Sequence, residues 1–310
     1  MLLKNLIDNL PNNKKNIKIK GLSLNSKNVK SGHIFFAIKG NNINGEKYIE
    51  EAINKGASVI VCTNTSKYKN KKVFVLKREN IRNLVSEISS RFYKLKPNNI
   101  IAVTGTNGKT SVADLYFQIL QLNNIPVASI GTLGIKYKNK IFKTGLTSPD
   151  TISIHKYLEI LKKKKINNVI IEASSHGLHQ DRLHHIDFKA AIFTNFSQDH
   201  LDYHKNMNSY LNAKLILFKK ILQKKSSIIS DKNINEFYTL KKIAKNKKLK
   251  IIEISAIIKK IKKSFSEPTS EFKLKNLAMA IAATKLYGLK DKTIFKSLNK
   301  IKDVDGRLEL

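Results

Sequence analysis

The chain has 310 residues, 41% of them apolar, and a formal net charge of +35. That length has room for two domains of ordinary size, and that apolar share supports real cores. No apolar run approaches the ~20 residues that cross a bilayer, the lone Cys62 excludes an internal disulfide, and early polar breaks exclude a secretory signal.

Met1 to Asp8 reads as a short amphipathic helix. Strands are expected at 17–19, 34–37, 59–62 and 73–76, and helices at 48–55 and 81–93. Cys62 ends the apolar run from Ser58, which makes it a buried strand residue rather than a nucleophile, and a single cysteine fits a reducing cytoplasm. Residues 1–97 thus form one small α/β unit, and Pro97-Asn-Asn99 is a linker. From 98 to 304, strands (99–103, 169–172, 190–195, 226–230) alternate with helices (112–122, 152–163, 209–223, 274–287). That order predicts a mostly parallel sheet with helices on both faces.

The most informative stretch is Ala102-Val-Thr-Gly-Thr-Asn-Gly-Lys-Thr-Ser111. A strand, a Gly-rich turn and a helix in that order build a phosphate cradle. Backbone N–H groups point at the anion and the helix dipole adds positive potential. Lys109 would reach the outer phosphates, and the Thr110 hydroxyl would meet Mg²⁺. The usual form wants glycine at position 103, which is Val103; here the first glycine is Gly105, so the loop is shorter.

Three further stretches carry ligand-type residues. In Ile170-Ile-Glu-Ala-Ser-Ser-His-Gly-Leu-His-Gln-Asp-Arg182, an apolar strand ends in Glu172. In open α/β sheets ligands gather at such strand ends. Glu172 is there either a Mg²⁺ ligand or the partner of a surface lysine. In the second, Asp199, His200, Asp202 and His204 crowd the loop after another strand. Zinc is disfavoured, because cysteine partners are lacking and no helical His-x-x-x-His is expected. A second Mg²⁺ is the better metal reading, and capping of the next helix by Asp199 and Asp202 is the structural alternative. In the third, Lys214 lies within Tyr210-Leu-Asn-Ala-Lys-Leu-Ile-Leu-Phe218. On so apolar a helix a lysine either snorkels to water or loses its charge through burial, which frees a neutral amine.

The charge raises nucleic-acid binding as a competing class. It is nearly all lysine spread over the whole chain, with only Arg78, Arg82, Arg91, Arg182 and Arg307 as arginines. Nucleic-acid surfaces favour arginine for bidentate contacts. Lys-, Asn- and Ile-rich sequence also follows from an AT-rich genome, so runs such as Lys162–Lys165 read as solvated faces. Neither nucleic-acid nor membrane partners are expected.

Together these stretches resemble the Mur ligase family. Within it, the likeness is to ligases that extend UDP-N-acetylmuramoyl-L-alanyl-D-glutamate by a diamino acid. Gly131-Thr-Leu-Gly134 and Thr144-Gly-Leu-Thr-Ser-Pro-Asp150 agree, as do Gly21-Leu-Ser-Leu-Asn-Ser-Lys-Asn-Val29, Gly32-His-Ile-Phe-Phe-Ala-Ile-Lys-Gly40 and Asn44-Gly-Glu-Lys-Tyr-Ile49. The resemblance runs nearly end to end and implies an ATP-dependent acid–amino-acid ligase of peptidoglycan synthesis. Residues 1–97 would be a UDP-sugar-binding domain, 98–304 the central ATP-binding domain, and 305–310 the start of a linker.

Carried over residue by residue, the resemblance implies several roles. ATP phosphates lie against Gly105, Thr106, Asn107, Gly108, Lys109, Thr110 and Ser111. Asn276 lies near adenine and Arg307 near the nucleotide. Thr110 and Glu172 hold one Mg²⁺, and His200 helps hold a second. Lys214 matches a carbamylated lysine. Thr147, Ser148, Ser174, Gln180 and Arg182 meet the UDP-muramoyl-dipeptide, with Leu24, Ser26, Asn41, Asn42 and Ile43 at the uridine pocket. A cytoplasmic monomer is the family default. Lys109, Glu172, His200 and Lys214 would be the catalytic set. ATP would phosphorylate the D-Glu carboxylate, and the diamino-acid amine would displace phosphate.

Some positions depart from the family pattern. Asn25 and Lys27 replace Asp and Arg, Lys273 replaces Asn, and the 251–277 segment reads as shortened. The family's third domain, Rossmann-like and carrying an Asp-Asn-Pro-Arg motif for the acceptor, is expected to be absent, and with it activity of this chain alone. Meso-diaminopimelate is the expected acceptor, with L-lysine the alternative. A folylpolyglutamate-type ligase is the nearest rival in fold, and a non-catalytic binding remnant the rival in function.

Overall fold

A computed structural model describes residues 1–40, 44–70, 72–138, 140–264 and 270–302. The chain divides into two compact units. One comprises 1–94 with 150–157, and the other 95–149 with 158–310.

The first unit is built on four parallel strands, β1 (Gly21–Ser23), β2 (His33–Phe36), β3 (Val59–Thr63) and β4 (Phe74–Arg78), in the order β1-β2-β3-β4. Helices α1 (Ile49–Asn54) and α2 (Ile81–Phe92) accompany them. Strand alternation sorts side chains into two cores. Ile34, Phe36, Val59 and Val61 join Val85 and Ile88 of α2 on one side. Phe35, Ile60 and Cys62 join Ile49 and Ala52 of α1 on the other. Cys62 is therefore a buried strand residue with its thiol pKa raised by burial.

Two expectations fail here. The N-terminal amphipathic helix is only a 3₁₀ turn at Leu3–Asn5, although Leu3, Leu6 and Ile7 are buried as an apolar face would be. So short a segment cannot repay helix nucleation. The expected strand at 17–19 makes only an isolated bridge, Lys18 to Leu2, and the first strand lies a few residues later.

The second unit holds eight strands in the order β12-β11-β10-β5-β9-β6-β7-β8. These are β5 (Asn99–Thr104), β6 (Val127–Gly131), β7 (Gly134–Tyr137), β8 (Lys140–Phe142), β9 (Asn168–Glu172), β10 (Phe188–Phe193), β11 (Ser227–Ser230) and β12 (Lys250–Glu253). All neighbours are parallel except along the β6-β7-β8 meander. β5, β9 and β10 read as continuous apolar runs because both sheet faces are covered. Helices α3 (Lys109–Leu122), α4 (Thr151–Lys163), α5 (Ser175–His179), α6 (Leu201–His204), α7 (Met207–Ile216), α8 (Phe237–Lys247), α9 (Ser255–Ser264), α10 (Glu271–Lys285) and α11 (Asp291–Leu298) complete the chain.

Tyr116 and Phe117 of α3 and Met279 and Ile281 of α10 bury one face with Ile101, Ile170 and Ile192. Connections from β5 run one way along the sheet and those from its neighbour β10 the other. The crevice at their carboxyl ends is thus the topological switch point, where open α/β sheets bind ligands.

The helix expected over 209–223 ends as α at Ile216 and continues as one π turn, Leu217–Ile221. Within the segment that reads as shortened, the chain forms β12 and α9. No helix among the described residues is long and apolar enough to cross a membrane. Arg307, the 305–310 linker, and Asn41, Asn42 and Ile43 lie outside the described residues.

Candidate active site

The Gly-rich turn links β5 directly to the first residue of α3. Gly108 has φ +84°, and a Cβ there would stand 2.6 Å from Asn276 Oδ1. Conformation and space both demand glycine at this position. Asn276 on α10 is buried against the same turn. The loop after β10 braces the cradle. Asn107 N–H donates to Asn195 Oδ1 at 2.9 Å, Thr106 N–H to Asn195 O at 2.9 Å, and Thr194 Oγ1 to Asn107 O at 2.6 Å. Lys109 Nζ folds onto the turn, donating to Gly105 O at 2.9 Å and Thr106 O at 2.7 Å. Ser111 follows in the first turn of α3.

Glu172 ends β9, which lies between β5 and β6 in the sheet. The residue is 2% exposed. Oε2 accepts from the Thr110 hydroxyl at 2.9 Å and the Thr132 hydroxyl at 3.0 Å, and Oε1 from Thr132 N–H at 2.9 Å. A Cβ on Gly131 would overlap this carboxylate, so that glycine makes room for it. The alternative of a surface ion pair with lysine is not what the side chain does. A buried anion held by three neutral donors beside an alcohol oxygen is a hard-oxygen donor set, which fits Mg²⁺.

Lys214 does not snorkel. It is 1% exposed, its Nζ donates to Gly105 O at 2.7 Å, and it lies 4.2 Å from the centroid of the Tyr210 ring. Burial, reinforced by the neighbouring Lys109 charge and opposed by Asp199, lowers its pKa to about 6. That shift favours the uncharged amine, the form that carbamylation requires. Tyr210 stands one helical turn before Lys214, and its hydroxyl reaches Thr106 Oγ1 at 3.4 Å.

His200 is half-exposed with φ +50°, its Nε2 3.4 Å from Asp199 Oδ2. Asp199 Oδ1 accepts from the His200 N–H, and no side chain caps α6; Asn206 caps α7. The capping roles expected for Asp199 and Asp202 are thus not those observed. His200 and His204 have His-x-x-x-His spacing, but His200 stands before α6, so the pair is not a helical one, as expected. His204 is buried among Tyr210, His176 and His179, and burial followed by those imidazoles pushes its pKa down to about 4. Among the described residues no three His, Cys, Asp or Glu side chains group as a metal site.

The remaining predicted residues of this unit form one network. Ser148 Oγ donates to Glu172 O at 2.8 Å and lies 3.0 Å from Ser174 Oγ. Ser174 caps α5. Arg182 donates to Ser148 O at 2.6 Å and to Gln180 Oε1 at 2.7 Å. Thr147 Oγ1 lies 3.1 Å from Thr132 Oγ1.

In the first unit, Leu24 packs on the core and the buried Ser26 donates to Glu51 Oε2 at 2.7 Å. Asn25 keeps an Asx cap, accepting from Lys27 N–H at 2.9 Å. Sequence reasoning assigned no role to Thr132, Tyr210, Thr194 or Asn195. Helical spacing from Lys214 was the available signal for Tyr210; for the others only the fold supplies one.

Comparison with known proteins agrees with this arrangement. Residues 103–286 match the family model described as Mur ligase middle domain, and 18–93 match the Mur ligase family, catalytic domain. A relative from Rickettsia prowazekii (strain Madrid E), UDP-N-acetylmuramoyl-L-alanyl-D-glutamate--2,6-diaminopimelate ligase, is 37% identical over 320 aligned residues. The alignment covers 95% of this chain and 66% of that relative. A solved structure of a ligase of that name matches with a TM-score of 0.80 at 23% identity, covering 100% of this chain and 68% of its own. A MurF ligase from Thermotoga maritima, solved in complex with ADP, matches with a TM-score of 0.61 at 17% identity over 94% of this chain and 67% of its own. With the middle-domain match spanning more than half its length, this chain belongs to the Mur ligase family.

Proposed function

We propose that the chain carries the nucleotide- and precursor-binding parts of an ATP-dependent ligase. That ligase joins meso-diaminopimelate to UDP-N-acetylmuramoyl-L-alanyl-D-glutamate in peptidoglycan synthesis. The observation that carries the reading is the convergence on one Gly-rich turn of Thr110 with Glu172 and of the buried Lys214. The names of the relatives support the acceptor, and L-lysine is the alternative within the family.

In this reading the N–H groups of Gly105 to Ser111 and the N-terminus of α3 bind the ATP phosphates. Lys109 leaves the turn carbonyls for the outer phosphates and spreads the charge of the transferring phosphoryl group. Asn276 borders the adenine, and Arg307 meets the nucleotide. Thr110 and Glu172 would hold one Mg²⁺, and His200 with carbamylated Lys214 a second. Bound there, Mg²⁺ supplies neutralisation of phosphate charge.

Arg182, Gln180, Ser174, Ser148 and Thr147 hold the muramoyl-dipeptide, so that the D-Glu carboxylate faces the γ-phosphate in line. Carboxylate oxygen attacks phosphorus and ADP leaves. The resulting acyl phosphate is attacked by the diamino-acid amine, and phosphate departs. Exclusion of water protects the acyl phosphate. Residues 1–97, with Leu24, Ser26, Asn41, Asn42 and Ile43, recognise uridine, and 98–304 carry the ATP chemistry. The molecule acts as a cytoplasmic monomer, without nucleic-acid or membrane partners.

Calorimetric titration tests this reading. Expected are Mg²⁺-dependent binding of ATP and binding of UDP-N-acetylmuramoyl-L-alanyl-D-glutamate. Salt-sensitive binding of random duplex DNA without response to either ligand would replace it with the nucleic-acid reading. Precursor binding without ATP binding would favour a non-catalytic remnant.

A further inference from the structure

Thr132 carries no role in the function just proposed, yet its contacts are specific. It follows Gly131, whose missing Cβ is what admits the Glu172 carboxylate. Its N–H donates to Oε1 at 2.9 Å and its hydroxyl to Oε2 at 3.0 Å. Two donors on two oxygens fix the rotation of the carboxylate plane, which a single bond would leave free. The Thr110 hydroxyl then shares Oε2 from the cradle side.

The Thr132 hydroxyl also lies 3.1 Å from Thr147 Oγ1. A hydroxyl has one hydrogen and two lone pairs. The Thr132 hydroxyl faces both the carboxylate and Thr147 Oγ1 as a donor, so its one hydrogen serves one of them at a time, and the charged Glu172 is the stronger acceptor. Thr147 and Glu172 thus meet at the same Thr132 hydroxyl as alternative acceptors. The adjacent Ser148 hydroxyl donates to the backbone carbonyl of the same Glu172 at 2.8 Å. Two consecutive residues of the 144–150 loop thus reach Glu172, one at its carbonyl and one through Thr132 at its carboxylate.

We infer that Thr132 is a positioning residue that orients the Glu172 carboxylate for a divalent cation and links it to the Thr147–Ser148 loop. This rests on the reading of Glu172 as a cation ligand. A loss of such an outer partner costs about 10-fold to 100-fold in metal affinity.

The test measures ADP affinity with and without Mg²⁺ for wild type, Thr132→Val, Thr132→Ser, Thr147→Val and the Thr132→Val/Thr147→Val double variant. Thr132→Val is expected to cut the Mg²⁺-dependent gain in affinity by about 10-fold. Affinity without Mg²⁺ stays as in wild type, and Thr132→Ser recovers the gain. Thr147→Val keeps or raises the gain, since it removes a competing acceptor, and the double variant matches Thr132→Val, because Thr147 reaches the carboxylate only through Thr132. An undiminished gain in Thr132→Val, absence of recovery in Thr132→Ser, or a double variant that departs from Thr132→Val would overturn the role of Thr132. A wild type with no Mg²⁺-dependent gain would overturn the cation-ligand reading of Glu172 itself. Thermal melting of each variant separates these results from misfolding, and Thr132→Ser keeps the test open where Thr132→Val fails to fold.

Discussion

Two strand-end loops of the same sheet differ in how finished they are. After β9, Glu172 is buried and gripped by three donors, with Gly131 shaped to receive it. After β10, His200 is half-exposed, has a left-handed backbone, and its side chain lies beside Asp199 and the rings of His176 and Tyr210. The first loop is preorganised by covalent neighbours and short hydrogen bonds, so a ligand there pays little ordering cost. In the second, Thr194 and Asn195 brace the cradle while the His200 imidazole beyond them stands half-exposed, so only that end is left for a ligand to order. Lys214 belongs with the first kind, since the cradle carbonyl of Gly105 already holds it.

The sharpest way to break this contrast is Glu172→Gln, which keeps the shape and removes the charge. Mg²⁺-dependent nucleotide affinity, read by calorimetry, should fall by at least about 100-fold, the upper end for outer-shell losses. A drop below tenfold would mean that the buried carboxylate is structural.

Next comes Gly131→Ala. Its Cβ would overlap the carboxylate, so the side chain must swing away. We expect about 1–3 kcal/mol of destabilisation in urea unfolding, together with a weaker response to Mg²⁺. Unchanged stability would show that the Glu172 pocket yields easily and is not preorganised.

Lys214→Met sharpens the comparison through pH. Lys214 has its pKa lowered to about 6 in the folded chain, mainly by burial. From there up to the ordinary lysine range, the unfolded chain binds one more proton than the folded one. Stability therefore rises with pH across that window, and the penalty is largest below pH 6. In CO₂-free buffer, Lys214→Met should flatten this rise, gaining more melting temperature at pH 6 than at pH 9. Parallel profiles for the two proteins would place the charge of Lys214 outside the folding balance.

The smallest effect belongs to His200→Ala. An exposed side chain of this kind should leave stability within about 0.5 kcal/mol. A larger loss in thermal or urea unfolding would mean that the loop after β10 is as finished as the one after β9.

Local pattern made much of this molecule legible. The apolar runs of β5, β9 and β10, the glycines and lysine of the cradle, and the Glu172 strand end all followed from residue type and spacing. So did Lys214 as a residue of unusual setting, because an apolar helix with one lysine offers few places for its charge. The antiparallel β6-β7-β8 edge, α8, α9 and α11 were not foreseen, since short or lysine-rich segments carry weak periodicity. The N-terminal helix failed because burial of Leu3, Leu6 and Ile7 requires only an apolar face, which a 3₁₀ turn also supplies.

By itself the sequence determined the kind of fold, the Gly-rich turn between β5 and α3 and the identity of the groups that crowd the strand ends. These depend on interactions within a few residues: strand alternation, the glycine turn and helix periodicity. Only the tertiary structure decided which of those groups are joined. Thr132 meets Glu172 across 40 positions of chain, Lys214 meets Gly105 across 109, and Asn276 closes on Gly108. Strand order sets those encounters, and strand order is chosen by the burial of two whole sheet faces at once, which no local pattern encodes.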